Sequence, residues 1–134
     1  MDVTKETTCC VTGHRDIPEN SLDSVRHKLR VEIISAINDG YTHFVSGFAR
    51  GVDLLFASIV AELKAEYDIS LEAAIPYDSR MKTPDTEFHA LIAYCDRVTV
   101  LSDHYSKNCF AVRNRYMIDM SQRVIAVYDG RGRG

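Results

Sequence analysis

Glycines and ionisable side chains follow directly after the short apolar runs of this sequence. Together with the serine that closes the second run, these residues are Gly13, His14, Arg15, Ser46, Gly47, Gly51, Asp53, Asp103, Asp129 and Gly130. A glycine lets backbone N–H groups approach a ligand closely, and a helix that begins after such a turn adds a partial positive charge. Both features favour a phosphate or a carboxylate. The pattern therefore predicts a binding site for an anionic ligand.

Each of these residues also has a purely structural explanation. Gly13 and Gly47 could serve only as turn residues, Arg15 could simply be solvated, and His14 could be structural. Asp53, in the first turn of a predicted helix, could complement the helix dipole. Their joint placement at the ends of neighbouring strands favours a site over these separate explanations.

A second candidate group is the Arg113-Asn114-Arg115 triplet, which lies in a helical stretch between two apolar runs. Neighbours on a helix are about 100° apart, so the three side chains cannot share one face. Asn114 falls on one stripe with Phe110 and Met117, which predicts that it is buried. We expect Arg113 to reach the ligand, and Arg115 to pair with an acidic side chain or to be solvated. The alternative, with both arginines on a solvated face, stays open.

The elements that must position these residues follow from the periodicity of the chain. Apolar runs predict strands near residues 8–12, 43–46, 71–76, 98–101 and 124–128. Amphipathic stretches between them predict four helices, and such alternation forms a parallel sheet with helices on both faces. We predict an α/β fold, a single Rossmann-like three-layer domain over residues 1–134 with about five parallel strands in the order 3-2-1-4-5. Ligands bind such sheets beyond the carboxyl ends of the strands.

The composition is that of a globular protein. Of the 134 residues, 46% are hydrophobic and 26% are charged, which argues against a disordered chain. The formal net charge is −3 and the pI is near 5.9, so the broad basic field of a general nucleic-acid binder is missing. We therefore expect nucleic acid not to be a partner. The N-terminus has no signal-peptide pattern and no apolar run is long enough for a membrane span, which predicts a cytoplasmic protein without a membrane partner.

No pattern predicts a metal or another cofactor. The cysteines, Cys9, Cys10, Cys95 and Cys109, include no C-x-x-C pair, and we expect them to be reduced, buried thiols. The histidines and acidic residues lack the paired spacing of metal ligands. The chain also lacks the dinucleotide-binding G-x-G-x-x-G motif, the Walker loop and the G-x-S-x-G nucleophile motif.

Several segments resemble a known superfamily. Residues 45–53, VSGFARGVD, resemble the S-G-x-A-x-G-I-D signature of the DNA-processing protein A family, with valine in place of isoleucine. Residues 110–130 resemble the R-N-R helix of that family and the strand that follows it. Residues 11–15, VTGHR, and 74–77, AIPY, are closer to the YpsA-like branch of the same superfamily. The chain is therefore identified as a member of the SLOG superfamily of Rossmann-like proteins over about residues 8–130.

The resemblance implies a nucleotide or nucleotide-derived ligand over the strand ends. Carried over position by position, it points to Gly13, His14, Arg15, Ser46, Gly47, Gly51, Asp53, Arg113, Asn114, Asp129 and Gly130. SLOG relatives are commonly dimeric, so we expect a homodimer. LOG-type phosphoribohydrolases of this superfamily carry a P-G-G-x-G-T-x-x-E loop whose glutamate takes part in glycosidic cleavage. Residues 129–134 read DGRGRG and lack both the threonine and the glutamate, so the chain is either truncated there or naturally short.

Three functions stay open at this point. We favour a domain that binds or senses a nucleotide. The alternative is a nucleotide-processing enzyme, an N-glycosidic hydrolase of nucleoside monophosphates, with Asp53, Asp103 or His14 as acid or base. A single-stranded DNA-binding protein is the third, and the acidic net charge and the shortage of aromatic residues among Lys and Arg count against it. The sequence does not decide whether any reaction is catalysed.

Overall fold

Five parallel strands form one sheet in the computed structural model, which describes residues 3–127. The strands are β1 (Thr8–Gly13), β2 (His43–Ser46), β3 (Ser70–Ile75), β4 (Arg97–Val100) and β5 (Arg123–Val127). Each strand lies within a residue of the position that the apolar runs predicted. The second strand is fully buried, because helices cover both of its faces.

Four helices connect the strands. They are α1 (Leu22–Asn38), α2 (Val52–Leu63), α3 (Thr86–Ile92) and α4 (Cys109–Asp119). Short 3-10 turns lie at Lys5–Thr7, Glu19–Ser21 and Asp78–Lys82. α2 is apolar on almost every side, because it is enclosed between the sheet, α1 and α3. None of the helices within residues 3–127 combines the length and the apolar character that crossing a bilayer requires.

The predicted α/β class and parallel sheet are confirmed, but the strand order is β4-β3-β2-β1-β5 rather than 3-2-1-4-5. β4 pairs with β3, where Arg97 lies opposite Glu72. Asp96 fixes the start of β4, because its N–H donates to the carbonyl oxygen of Leu71 and its carboxylate accepts from the N–H of Leu71. The connection between the two strands contains the 3-10 turn at Asp78–Lys82 and the seven-residue α3, and it carries the chain to the neighbouring position. Apolar runs reveal that a strand exists but not which strand lies beside it.

This strand order distributes the helices over the two faces of the sheet. The chain moves stepwise from β1 to β4, and right-handed crossovers place α1, α2 and α3 on one face. The connection from β4 to β5 runs back across the sheet, so α4 lies on the other face, where Met117 packs against Cys10, Val45 and Ala74. The connections that leave β3 and β4 therefore go to opposite faces. Such a divergence opens a crevice at the carboxyl ends of the two strands.

The four cysteines are free thiols, in agreement with the sequence prediction. Cys9, Cys10 and Cys109 are buried, and Cys95 is half-buried. Burial raises the pKa of both the Cys9 and the Cys95 thiol to about 12, so both stay protonated at neutral pH. These side chains pack as small apolar groups.

Candidate functional site

The loops that follow β1 and β2 touch each other at the carboxyl edge of the sheet. The N–H of Val52 donates to the carbonyl oxygen of His14 (3.0 Å), and Gly13 packs against the Val52 side chain. Gly51 has φ +85°, and a Cβ atom there would lie 2.3 Å from the carbonyl oxygen of Arg15. Because a side chain at this position would push the two loops apart, Gly51 is required to hold Arg15 beside the start of α2.

Two of the predicted site residues, Ser46 and Asp53, shape the turn between β2 and α2. The buried hydroxyl of Ser46 donates to the backbone carbonyl of Asp53 (2.8 Å) and accepts from the N–H of Phe48 (3.1 Å). A carboxylate oxygen of Asp53 accepts from the N–H of Ala49 (3.2 Å). Phe48 has φ 56°, a conformation that a non-glycine residue keeps only when its surroundings hold it. Ser46 thus stabilises the turn through hydrogen bonds of its buried side chain, whereas Asp53 borders a cavity.

The guanidinium group of Arg113 forms the floor of the site. The side chain is 4% exposed, and Nη1 donates to the carbonyl oxygens of Gly47 (2.7 Å) and Ala74 (3.5 Å). Nε donates to the side-chain oxygen of Asn114 (2.9 Å). A Cβ atom on Gly47 would lie 2.7 Å from Nη1 of Arg113. Glycine at this position makes room for the cation. A buried cation loses its hydrating water, and carbonyl oxygens at the strand ends take the place of that water as hydrogen-bond acceptors.

The rotation of α4 about its axis differs from the sequence prediction. Its buried stripe contains Arg113 and the residues four positions before and after it, so Asn114 is exposed rather than buried. The apolar pattern misled because a cation bonded to backbone carbonyls occupies a position that faces the core. Arg115 is exposed and pairs with Asp119 (3.4 Å), the first of the two alternatives expected for it.

The carboxyl group of Asp53 titrates near neutral pH. Burial raises its pKa from 3.8 to about 6, although Arg113, the N–H of Ala49 and Arg15 favour the charged form. Burial also lowers the pKa of Arg113, and the nearby Asp53 opposes that shift. The floor of the site is therefore a fixed cation beside a carboxyl group whose charge changes near pH 6.

Two cavities meet above this floor. The larger cavity, about 350 Å³, is lined by turn residues after β2 and by Arg15, Arg50, Arg80, Arg113, Tyr77, Phe110 and Asp85. The smaller cavity, about 120 Å³, reaches Gly13, Asp53 and Asn114 and shares three of the four arginines. The volume of the larger cavity suits a small molecule. Its four arginines outnumber its carboxylates, so the local field attracts an anion.

Three of the four arginines are held by partners within the protein. Arg50 is exposed and pairs with Asp16 (3.1 Å). Arg80 donates to the carbonyl oxygen of Phe48 (3.0 Å). Arg113 is bonded to carbonyl oxygens at the strand ends. These contacts fix positive charge around the cavity.

Arg15 is the cation that remains available to a ligand. Its side chain is exposed, and its guanidinium carbon lies 5.2 Å from the centre of the Phe110 ring. No carboxylate among residues 3–127 lies within ion-pair distance of it. A ligand anion could therefore approach Arg15 without breaking an existing ion pair.

The structure does not bring every predicted residue to this place. Asp103 is exposed in the loop after β4 and lines neither of the two cavities. His14 is half-buried and contributes its carbonyl oxygen to the contact between the loops. Asp129 and Gly130 lie outside the described residues. Within the part of the chain that the structure describes, no three His, Cys, Asp or Glu side chains come together as metal ligands.

Sequence reasoning missed most of the lining of the larger cavity, including Tyr77, Arg80 and Phe110. Tyr77 follows the end of β3 as Arg15 follows the end of β1, so the search for side chains at strand ends could have found it. The sequence pattern assigns Phe110 to the buried stripe of α4, and nothing in the local sequence marks Arg80. Phe110 and Arg80 reach the cavity only because separate segments of the chain lie together in the folded protein.

A larger groove, about 560 Å³, lies elsewhere, between α1 and β5. It is lined by His27, Lys28, Val31 and Glu32 of α1 and by residues 125–127. The groove contains none of the predicted site residues and borders the end of the described chain. The arginine-lined cavity is therefore the candidate site.

Comparison with known proteins identifies the family. The sequence model described as the YspA SLOG family, named YpsA, matches residues 9–134. The chain belongs to the YpsA family of SLOG proteins. This result confirms the SLOG superfamily, which was predicted from residues 11–15 and 45–53.

This YpsA-family chain also matches proteins of two Bacillus species. It is 25% identical over 115 residues to UPF0398 proteins of Bacillus cereus (strain ATCC 14579) and Bacillus thuringiensis (strain Al Hakam). The match covers 81% of this chain and 62% of each relative. The chain thus spans less than two thirds of the length of these relatives.

Two solved structures of DNA processing protein A (DprA) share the fold of this YpsA-family chain. The Streptococcus pneumoniae protein superposes with a TM-score of 0.64 at 20% identity, over 91% of this chain and 41% of that one. The Helicobacter pylori protein superposes with a TM-score of 0.59 at 23% identity, over 96% of this chain and 57% of that one. At such identities the likeness establishes the fold.

The expectation that nucleic acid is not a partner is wrong, because a protein of this fold binds DNA. The H. pylori DprA, which has this fold, has a single-stranded DNA binding mode. The expectation rested on net charge, which averages over the whole surface. The structure instead gathers four arginines at one cavity of an acidic protein.

Proposed function

We propose that the larger cavity binds a nucleotide or nucleotide-derived ligand, with a phosphate group against Arg15 and above Arg113. The observation that carries the proposal is the convergence of four arginines on one cavity at the carboxyl edge of the sheet. The fold binds ligands at this edge. Membership of the YpsA family supports nucleotide chemistry, since the SLOG resemblance implies such a ligand.

Two features favour a phosphate over a neutral ligand. Arg15 offers paired N–H groups in a planar fork, which suits the oxygens of a phosphate. α2 begins at Val52, close to the cavity-lining Arg50, and adds the positive end of a helix dipole. Arg113 contributes fixed positive charge from below, because its own hydrogen bonds hold it in place.

The same geometry favours binding over cleavage. A hydrolase of N-glycosidic bonds needs an acid or base at hydrogen-bond distance from the sugar or the base. Of the three candidates, Asp53 already accepts from the N–H of Ala49 and faces Arg113, while Asp103 and His14 line neither cavity. The carboxylate that does line the larger cavity, Asp85, accepts from the N–H groups at the start of α3. Nucleoside monophosphates incubated with the protein should therefore stay intact by chromatography. Release of free base would support the hydrolase instead.

Isothermal titration calorimetry with AMP and GMP tests the binding proposal. Arg15→Ala should weaken binding by about tenfold or more, because a charge-assisted hydrogen bond contributes about 1.5–3 kcal/mol. Arg115→Ala is the matched control, since it removes the same charge from an exposed side chain that pairs with Asp119. Its affinity should equal that of the parent. Equal affinities for the parent and Arg15→Ala would contradict the proposal.

Single-stranded DNA is a second candidate ligand. It is favoured by the rings of Tyr77 and Phe110 beside the arginines, because bases stack on aromatic side chains while cations follow the phosphates. The DNA binding mode of the H. pylori DprA points in the same direction. Fluorescence polarisation with a labelled oligothymidylate measures this binding. Displacement of the labelled strand by AMP would indicate that both ligands bind in one cavity. If the Arg15→Ala variant binds the strand as tightly as the parent, the cavity is not the DNA-binding site.

A further inference from the structure

Three aromatic side chains, Tyr77, Tyr105 and Phe110, form a cluster beside the larger cavity, which we call the aromatic trio. The ring centres of Tyr77 and Tyr105 lie 5.4 Å apart, and each lies 6.2 Å from the ring centre of Phe110. Tyr77 lies in the loop after β3, Tyr105 in the loop after β4, and Phe110 in the first turn of α4. Three separate segments thus converge to bring the rings together.

The aromatic trio is not part of the core. Tyr105 is 58% exposed, and Tyr77 and Phe110 are half-buried. Among residues 3–127, none of the three belongs to the apolar clusters on the two faces of the sheet. Rings that stay partly in water contribute less to folding than buried ones, and a flat ligand could cover the surface they leave exposed.

The trio also lies where the topology opens a crevice. The connection after β3 leads to α3 on one face of the sheet, and the connection after β4 leads to α4 on the other. In parallel sheets, ligands bind in the crevice between two such connections. Tyr77 and Tyr105 lie in these two connections, one on each side. The fold therefore predicts a ligand at the place where the rings gather.

We propose that the aromatic trio is the base-binding half of the site, so that the ligand is a nucleotide whose base stacks on the trio while its phosphate contacts Arg15. This inference rests on the proposed function, because it uses the phosphate site at Arg15. The guanidinium carbons of Arg15 and Arg113 lie 5.2 Å and 5.8 Å from the centre of the Phe110 ring, so the cationic and aromatic halves are adjacent. A nucleotide presents the same two parts, a flat base and an anionic phosphate, joined by a sugar.

Recognition by stacking predicts an order of affinities. Every base has a face that can stack, so the site accepts all four bases and favours those with the larger ring system. AMP and GMP should bind about threefold or more tightly than CMP and UMP. Ribose 5-phosphate lacks a base and should bind about tenfold more weakly than AMP.

Calorimetric titrations of AMP and ribose 5-phosphate test the inference with matched variants. Tyr105→Ala should weaken AMP binding by about tenfold and leave ribose 5-phosphate binding unchanged, because only AMP uses the ring. Tyr105→Phe keeps the ring and should keep the AMP affinity. Tyr94→Ala is the control, since Tyr94 has a similar exposure (55%) just after α3 but lies outside the ring contacts that join Tyr105 to Tyr77 and Phe110. Its affinities should equal those of the parent.

The outcomes separate this inference from the function on which it rests. Equal affinity of the parent for AMP and ribose 5-phosphate, or an equal loss of both in Tyr105→Ala, would overturn the base-binding role and leave the phosphate site standing. Binding of neither compound to the parent would overturn both. A nucleotide within a DNA strand offers the same chemistry, so an oligothymidylate is titrated in parallel. Tyr105-dependent binding of the strand but not of AMP would assign the trio to strand-borne bases and overturn the free-nucleotide ligand.

Discussion

Two polar clusters each include a residue of α4, Arg113 in one and Tyr116 in the other, and their charged groups have opposite surroundings. The site cluster, at the carboxyl edge, consists of Arg15, Asp53 and Arg113. The Glu72 cluster, further toward the start of the strands, consists of Ser70, Glu72, His43, Thr99 and Tyr116. The first cluster borders two cavities, and the second is closed by its own hydrogen bonds.

The Glu72 cluster satisfies its buried charge completely. Glu72 is 0% exposed, and its carboxylate accepts from Nε2 of His43 (2.7 Å), from the hydroxyl of Thr99 (2.7 Å) and from the hydroxyl of Tyr116. Nδ1 of His43 lies 2.6 Å from the hydroxyl of Ser70. Burial alone would raise the pKa of Glu72, but the three hydrogen bonds outweigh it and lower the pKa. The Glu72 carboxylate thus links three strands and α4 through hydrogen bonds, and these internal partners occupy it in place of a ligand.

The site cluster leaves one charge without an internal partner. Arg113 is held by carbonyl oxygens, whereas Arg15 faces the cavity without a carboxylate at ion-pair distance among the described residues. A buried ionisable group therefore does not by itself mark a binding site. A charged side chain that lacks a partner and borders a cavity does mark one.

The largest expected effect is on stability, from the Glu72 cluster. Glu72→Ala leaves His43, Thr99 and Tyr116 without their shared acceptor, so the free energy of unfolding should fall by about 3–5 kcal/mol. Urea denaturation followed by circular dichroism measures this loss. Glu66→Ala, at an exposed glutamate after α2, is the control and should stay within about 0.5 kcal/mol of the parent. A small loss in Glu72→Ala would mean that the cluster is not structural.

The same cluster predicts an acid limit to stability. The pKa of Glu72 is lowered in the folded protein relative to its ordinary value of 4.5. Its contribution is therefore fully present above pH 4.5 and is lost as the pH falls through the lower folded value. Urea midpoints measured between pH 7 and pH 3 should fall more steeply in the parent than in Glu72→Gln. Parallel curves would contradict the role of this carboxylate.

A smaller effect is expected from the hydroxyl of Tyr116, which links α4 to the Glu72 cluster. Tyr116→Phe removes one hydrogen bond to Glu72, and the free energy of unfolding should fall by about 1–2 kcal/mol. AMP affinity should stay the same, because Arg113 is held separately by Gly47 and Ala74. A loss of affinity in this variant would show that the two clusters are coupled through α4.

The smallest effect concerns Asp53 and the pH dependence of binding. Its pKa is raised to about 6, so it is charged above pH 6 and neutral below. A charged Asp53 repels an anionic ligand, and Asp53→Asn should therefore bind AMP about three- to tenfold more tightly at pH 7.5 and equally at pH 5. The titration of AMP itself is common to both proteins, so calorimetry of the two in parallel isolates Asp53. An unchanged difference across this pH range would contradict the assignment.

The sequence predicted the class of the fold and the carboxyl edge because both follow from local signals. Alternating apolar runs locate every strand, and glycines after β1 and β2 mark the turns. The position of β4 could not be predicted, because it depends on backbone pairing between Asp96 and Leu71, distant in sequence. The predicted homodimer, the cytoplasmic location and the roles of the individual site residues stay predictions.

The details of the site depended on contacts between distant segments. Arg113 is buried because carbonyl oxygens of Gly47 and Ala74 receive it, and no periodicity of α4 reveals such partners. The aromatic trio is equally hidden, since its members are separated along the chain and meet only where three segments converge. Local sequence patterns predict where strands end, but only the three-dimensional structure shows which side chains lie together at those ends.

The comparison between the two clusters is tested most directly by nuclear magnetic resonance. In a 1H–15N correlation experiment with AMP added to the labelled protein, the amides of Arg15, Gly47 and Gly51 should shift with increasing ligand. The amides of His43 and Glu72 should stay unchanged, because their cluster has no open partner position. Shifts confined to the Glu72 cluster, or none at the carboxyl edge with AMP in large excess, would contradict a ligand site at Arg15.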